Sequence, residues 1–125
     1  MRLPRPRLTV PVLLWFGVFG APAAWTTQHV TGFALTQADC NAAYRGDIPF
    51  DGLTIAVMAT AAAVAVLAEL SAIAVYRRTR DAGKEPPAAR IHFMAIVGMT
   101  IGPLFLAMIL MSGLGAVFLE ACRQS

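Results

Sequence analysis

Charge is scarce in this chain, 14% of 125 residues, and two stretches nearly lack it: Leu53 to Tyr76 and Phe93 to Leu119 hold one acidic or basic residue between them, Glu69. A bilayer's hydrocarbon core takes roughly 20 apolar residues per helical crossing, so both stretches are long enough to span it. Recognisable catalytic apparatus is lacking too. There is no P-loop, no H-E-x-x-H, no nucleophile elbow and no glycine-rich nucleotide loop, so a non-catalytic protein without a cofactor is expected. Histidine occurs only as His29 and His92, which fall near opposite faces of a membrane and therefore cannot ligate one haem iron axially. The two cysteines form no C-x-x-C, which argues against a redox role. The net charge of +3 is not gathered on a basic, aromatic-interleaved surface, and nucleic acid is not an expected partner.

What the chain has in excess is apolar residues: 58% AVILMFWYC before its 10 glycines are counted, against about 45–50% with glycine included in soluble domains. The excess sits in three runs, Thr9 to Leu35, Leu53 to Tyr76 and Phe93 to Leu119. With about 75 residues in lipid, nothing within these 125 is left for a second domain or an extramembrane enzyme. The expectation is a single all-α domain, a three-helix integral membrane bundle with spans at 9–35, 53–76 and 93–119. The bilayer is its first partner.

Basic residues orient the spans. Arg2, Arg5 and Arg7 precede the first run, and Arg77, Arg78, Arg80, Lys84 and Arg90 lie between the second and third. The 36–52 segment carries only Arg45 beside Asp39, Asp47 and Asp51, and the tail only Arg123. The positive-inside rule then makes 77–92 a cytoplasmic loop and 36–52 an external one, N-in and C-out. Gly46, Pro49 and Gly52 suit a loop there, with Tyr44 and Phe50 at headgroup level. Pro86-Pro87 stops any helix continuing from the second run, and Gly102-Pro103 is expected to kink the third.

The first run has a second reading. Met1 to Leu8 is a basic n-region, Thr9 to Gly20 an apolar h-region, and Ala21-Pro22-Ala23 resembles an A-x-A cleavage site. Against cleavage, apolar residues continue through Trp25, Val30, Phe33, Ala34 and Leu35, giving 27 residues, long for a signal sequence. Either outcome leaves 36–52 outside.

Small residues mark packing surfaces, since lipid supplies no hydrophobic drive between helices and close approach must come from shape. The second run offers Ala61 and Ala65 among its alanines, and the third offers Gly98-x-x-x-Gly102 and Ser112-x-x-x-Ala116. Packing of the three helices on one another is the plain use of these faces; association with other subunits is the further one.

Depth along each helix, at about 1.5 Å per residue, decides which polar groups can meet. Gln28 and His29 lie near the outer boundary and Glu69 near the inner one, more than about 10 Å apart in depth, so His29 and Glu69 are not expected to pair. The expected hydrogen bonds are Ser112 to Gln28 or His29, and Thr100 or the Trp15 indole to Glu69. A carboxylate in lipid is costly unless paired or protonated, which makes Glu69 either a neutral hydrogen-bonded group or an ion-handling one. His29, Met58, Met108 and Met111 fall at one level and include soft ligands for copper, but methionine is also the ordinary filler of apolar packing, and no metal site is assigned. Cys40 and Cys122 both fall just outside the same face, where an oxidising exterior favours a structural disulfide.

The pattern Gly20-Ala21-Pro22-Ala23-Ala24-Trp25-x-x-Gln28-x-x-x-Gly32-x-Ala34-Leu35, followed by Cys40 and a terminal Cys122, resembles a group of small bacterial membrane proteins of three or four helices. Their first helix carries a G-P-x-A-W-x-x-Q motif, into which Ala21 is inserted here. Genes of that group often lie beside those for haem-copper terminal oxidases. The resemblance covers mainly residues 20–40 and implies a bacterial inner-membrane protein acting as an accessory or assembly subunit among other membrane subunits. It also places Trp25 and Gln28 in a membrane helix, in favour of an uncleaved first run. A small oligomeric transporter or ion-handling protein using Glu69 is the alternative.

Overall fold

In the computed structural model, residues 9–41, 43, 49–81 and 84–123 are described. They form three long helices, α1 (Thr9–Cys40), α2 (Phe50–Thr79) and α3 (Ala88–Phe118), with a 3-10 turn at Ala121–Arg123 and no strand among the described residues. All three helices are long and apolar enough to cross a membrane. The chain is an all-α, multi-pass membrane bundle running up, down and up. Arg2, Arg5, Arg7, Tyr44, Arg45, Gly46 and Asp47 lie outside the described residues.

The helices overrun the apolar runs that mark them. α1 continues five residues beyond Leu35 to Cys40, α2 adds three residues at each end of 53–76, and α3 starts five residues before Phe93 and stops at Phe118. Hydropathy marks the part of a helix that sits in hydrocarbon, about 30 Å thick, whereas 32 helical residues extend about 48 Å. Both ends of the 36–52 loop are therefore helical. At the other end α2 closes at Thr79 with Arg77 and Arg78 in its last turn, where positive charge complements the exposed carbonyls. Pro87 then opens α3 from the capping position, where its missing N–H costs nothing. Neither Pro22 nor Pro103 divides its helix; α1 and α3 each run on as single helices through them.

The buried positions recur at alternating steps of three and four. On α2 they are Thr54, Ala61, Ala65, Ala68, Ala72 and Val75; on α1, Leu14, Gly17, Ala21, Ala24 and Gln28, with Val18 and Gly20 beside them; on α3, Ala95, Gly98, Gly102, Ile109 and Gly113. A 3.5-residue repeat holds a seam toward neighbouring helices along their length. Most seam residues are glycine or alanine, while Val12, Phe19, Phe33, Leu67, Leu70, Leu104 and Phe118 face outward. The bundle is inverted relative to a soluble one: small inside, bulky outside, as lipid permits.

All three helices approach closely where Gly17, Ala72 and Gly98 meet. A Cβ on Gly17 would stand 3.0 Å from the Cα, Cβ and N of Ala72, and one on Gly98 3.0 Å from the Gly17 carbonyl oxygen and 3.2 Å from Ala72 Cβ. These neighbours are largely backbone and cannot rotate away. Toward the cysteine end the contact loosens: Gly113 meets the flexible Met58 side chain, and Gly32 and Gly115 have nothing within 4 Å of where a Cβ would be.

Gly17→Ala or Gly98→Ala is expected to destabilise the bundle by about 1–3 kcal/mol through overpacking, whereas Gly32→Ala leaves it unchanged. Denaturant unfolding in detergent micelles, followed by circular dichroism, measures both. Equal midpoints for Gly17→Ala and Gly32→Ala would remove this contact as the organising one.

Candidate functional site

Each polar residue inside a spanning helix must find a partner, because lipid offers none. Most serve themselves. Thr26 donates to the Pro22 carbonyl at 2.9 Å, Thr27 to Ala23 at 2.8 Å, Thr60 to Ala56 at 2.8 Å, Ser71 to Leu67 at 2.8 Å, Thr79 to Val75 at 2.9 Å and Thr100 to Ile96 at 2.9 Å, all to the carbonyl four residues earlier. The bond expected from Thr100 to Glu69 is thus not made; the nearest carbonyl on its own helix takes the hydroxyl proton first. Trp15 does not reach Glu69 either, since it is half exposed and stacks on Phe19 with ring centroids 5.5 Å apart.

Gln28 crosses between helices. It is only 6% exposed, and its Nε2 donates to the Ile109 carbonyl oxygen at 3.1 Å. The expected partner, Ser112, lies less than one turn further along α3 and is exposed. His29 is exposed as well, its ring stacked on Trp25 at 5.3 Å, and Trp25 in turn meets Phe105 edge-on at 5.7 Å. Glu69 is half-buried against α3, where a Cβ on Gly102 would fall on its Oε2, an oxygen with no hydrogen-bond partner. The four residues assigned to packing, Gly98, Gly102, Ala61 and Ala65, are all buried within the bundle. Their small faces serve these three helices and are not left outward for another subunit.

Cys40 and Cys122 form a disulfide across 82 residues, with Cα atoms 5.4 Å apart, tying the end of α1 to the turn after α3. Asp39 lies within 4.8 Å of both sulfurs, the one grouping of three or more His, Cys, Asp or Glu ligands among the described residues. Sulfurs bonded to each other are not thiolates, so this group does not constitute a soft metal site while oxidised. Met108 and Met111, spaced as M-x-x-M, turn outward at 43% and 72% exposure, while Met58 packs inside on Gly113.

Below the disulfide lies a cavity of about 400 Å³ with walls from all three helices, including Gln28, His29, Thr36, Gln37, Thr54 and Ser112. Thr54, 7% exposed, was not singled out by its sequence position. Its hydroxyl and Gln28 Oε1 are both buried without a partner. At the opposite end His92 stacks on Tyr76 at 4.7 Å and its Nδ1 lies 2.9 Å from Thr79 Oγ1, a second cluster that composition alone did not reveal. Between Gln28 and Glu69 the interior is filled by Ala21, Ala24, Ala61, Ala65 and Ile109, a dry cluster with Trp25 and Phe105 against it. The two polar regions are thereby separated.

Comparison with family models, with curated proteins and with solved structures finds no match to this chain.

Reduction of the disulfide, or Cys40→Ser with Cys122→Ser, is expected to lower unfolding stability by about 2–4 kcal/mol, because the closed interval is long. Intact mass before and after reduction, with maleimide labelling, should show a gain of two hydrogens and two thiols that react only once reduced. Thiols that react without reductant in freshly extracted protein would contradict a structural disulfide.

Proposed function

We propose that the chain is a non-catalytic accessory or assembly subunit of a larger membrane complex, seated N-in and C-out in a bacterial inner membrane. The observation that carries this reading is the packed middle of the bundle: the Gly17–Ala72–Gly98 contact and the Ile109 cluster close it between its two ends, which suits a scaffold rather than a passage. The orientation is supported by Arg77, Arg78 and Arg90 at one end and by a disulfide, which suits an oxidising compartment, at the other. The similarity of residues 20–40 to proteins encoded beside haem-copper oxidases makes a respiratory oxidase the first complex to test. Docking uses the outward aliphatic and aromatic ridges, because the glycine and alanine seams are buried within the bundle.

A second reading is favoured by the unpartnered Oε2 of Glu69, which suits a carboxyl that exchanges protons or cations. It requires a route past the apolar cluster, which separates Glu69 from Gln28.

Affinity purification in mild detergent at native expression is expected to return a larger complex containing oxidase subunits; recovery of this chain alone at every expression level would sink the proposal. Glu69→Gln is expected to leave both assembly and ion-dependent activity intact. Loss of ion-dependent activity with assembly preserved would instead establish the ion-handling reading.

A further inference from the structure

Glu69 is the one acidic or basic residue within the three apolar runs, and the bundle seats it without a partner. Its Oε2 is closed in against Gly102, where a Cβ would collide with it, so Oε1 is the oxygen left open along the seam between α2 and α3. The donors near this level are engaged elsewhere. Thr100 and Ser71 give their protons to the Ile96 and Leu67 carbonyls, and Trp15 lies against Phe19. Arg77 and Arg78 stand two turns further along α2, and the ion pair found among the described residues joins Arg123 to Glu120 instead.

A second acceptor stands at the same level. Pro103 has no N–H, so the Met99 carbonyl, which points along α3 toward it, receives no bond from the residue four positions on. A proline is kept inside a spanning helix where neighbouring groups can satisfy the carbonyl it frees. Pro103 is exposed beside the buried Gly102, so this carbonyl lies at the lipid-facing border of the contact with Glu69. On the α2 side Val66 and Ile73, three residues before Glu69 and four after, share its strip of the helix, and Val66 is 43% exposed. The seam thus offers an apolar surface with two acceptors short of a donor.

The bilayer itself does not supply that donor. Acyl chains have none, and the first charge after Glu69, Arg77, lies about 12 Å further along α2, which puts the headgroups out of reach. A side chain on another membrane helix can supply it, and an amide gives two N–H donors without bringing a second charge into hydrocarbon. We propose that the α2–α3 seam at Glu69 is the docking face for a partner's transmembrane helix, which places an asparagine or glutamine amide against Glu69 Oε1 and the Met99 carbonyl. This rests on the accessory-subunit reading and names the ridge through which the subunit docks.

The full oxidised chain, expressed at native level in the membranes of its source cell with a photoreactive diazirine amino acid at Val66 or Ile73, tests the assignment. After illumination, adducts from both positions are expected on one transmembrane helix bearing a side-chain amide level with Glu69. The same probe at Phe19 on α1 should not capture that helix. Glu69→Leu is expected to lower its capture about five-fold, in detergent at the dilution where half of the chain is bound, the equivalent of one hydrogen bond between membrane helices. Glu69→Gln keeps an acceptor in place and should retain capture. Replacing the partner's amide by leucine should give the same five-fold loss and remains decisive if Glu69→Leu misfolds. Adducts on lipid alone, a captured helix without an amide at that level, or capture unchanged in Glu69→Leu overturns the proposal. A complex that survives purification while only Phe19 captures a partner overturns this docking face and keeps the subunit role; recovery of the chain alone overturns both.

Discussion

Everything in this bundle depends on how closely three backbones approach at Gly17, Ala72 and Gly98. With no Cβ on two of the three, the helices meet at a separation that no larger residue permits, and dispersion and Cα–H···O contacts act over backbone rather than side chain. That approach sets the register of the whole chain. Gly98 stands 81 positions after Gly17, and the Gln28 to Ile109 hydrogen bond repeats the same offset three turns further on. α1 and α3 therefore run parallel in step, and α2 answers both in reverse, Glu69 meeting Gly102 and Met58 meeting Gly113.

The inside of the protein is distinguished from its outside by size, not polarity. A soluble helix would show an apolar stripe opposite a charged one; here leucine, valine and phenylalanine face the lipid while alanine and glycine face each other. The rule explains how polar residues are tolerated. Thr26, Thr60, Ser71 and Thr100 stand on outward or half-outward positions with their protons committed to their own helices, so they add no unmet donor to the bilayer.

Much of this was legible in the sequence. Run length and charge gave three crossings, and the placement of Cys40 and Cys122 beyond the same face anticipated their bond. The readings that departed from the structure share a cause. Helix ends were drawn where hydropathy falls, although backbone hydrogen bonding continues through Thr36 to Cys40. Thr100 and Ser112 were matched to side chains at their own level, when a helical hydroxyl has a carbonyl of its own within reach and Gln28 could use the main chain of α3. Gly17, Gly20, Ala21 and Ala24 also pack inside the bundle, although the first run carries no G-x-x-x-G or alanine-rich stretch to mark them. The signal that would have found them is the alternation of small residues by three and four, which hydropathy does not register. Thr54 left no such signal, since nothing in one chain tells which hydroxyl will decline its own carbonyl.

The tight contact and the cavities are two consequences of one design. Helices locked at the Gly17 level by glycine pack less closely toward the other end, where Gly113 meets the Met58 side chain and a Cβ on Gly32 or Gly115 would touch nothing within 4 Å. Looser packing alone would leave α1 and α3 free to close or part there, and lipid, being as apolar as the helices, would not decide between the two. The disulfide decides it by joining Cys40 to Cys122 across the gap. A bundle uniformly lined with alanine would gain contact along its whole length and lose the space around Gln28 and Thr54. The cavity thus lies between a glycine contact at one end and a covalent bond at the other, with the buried Gln28 and Thr54 in its wall.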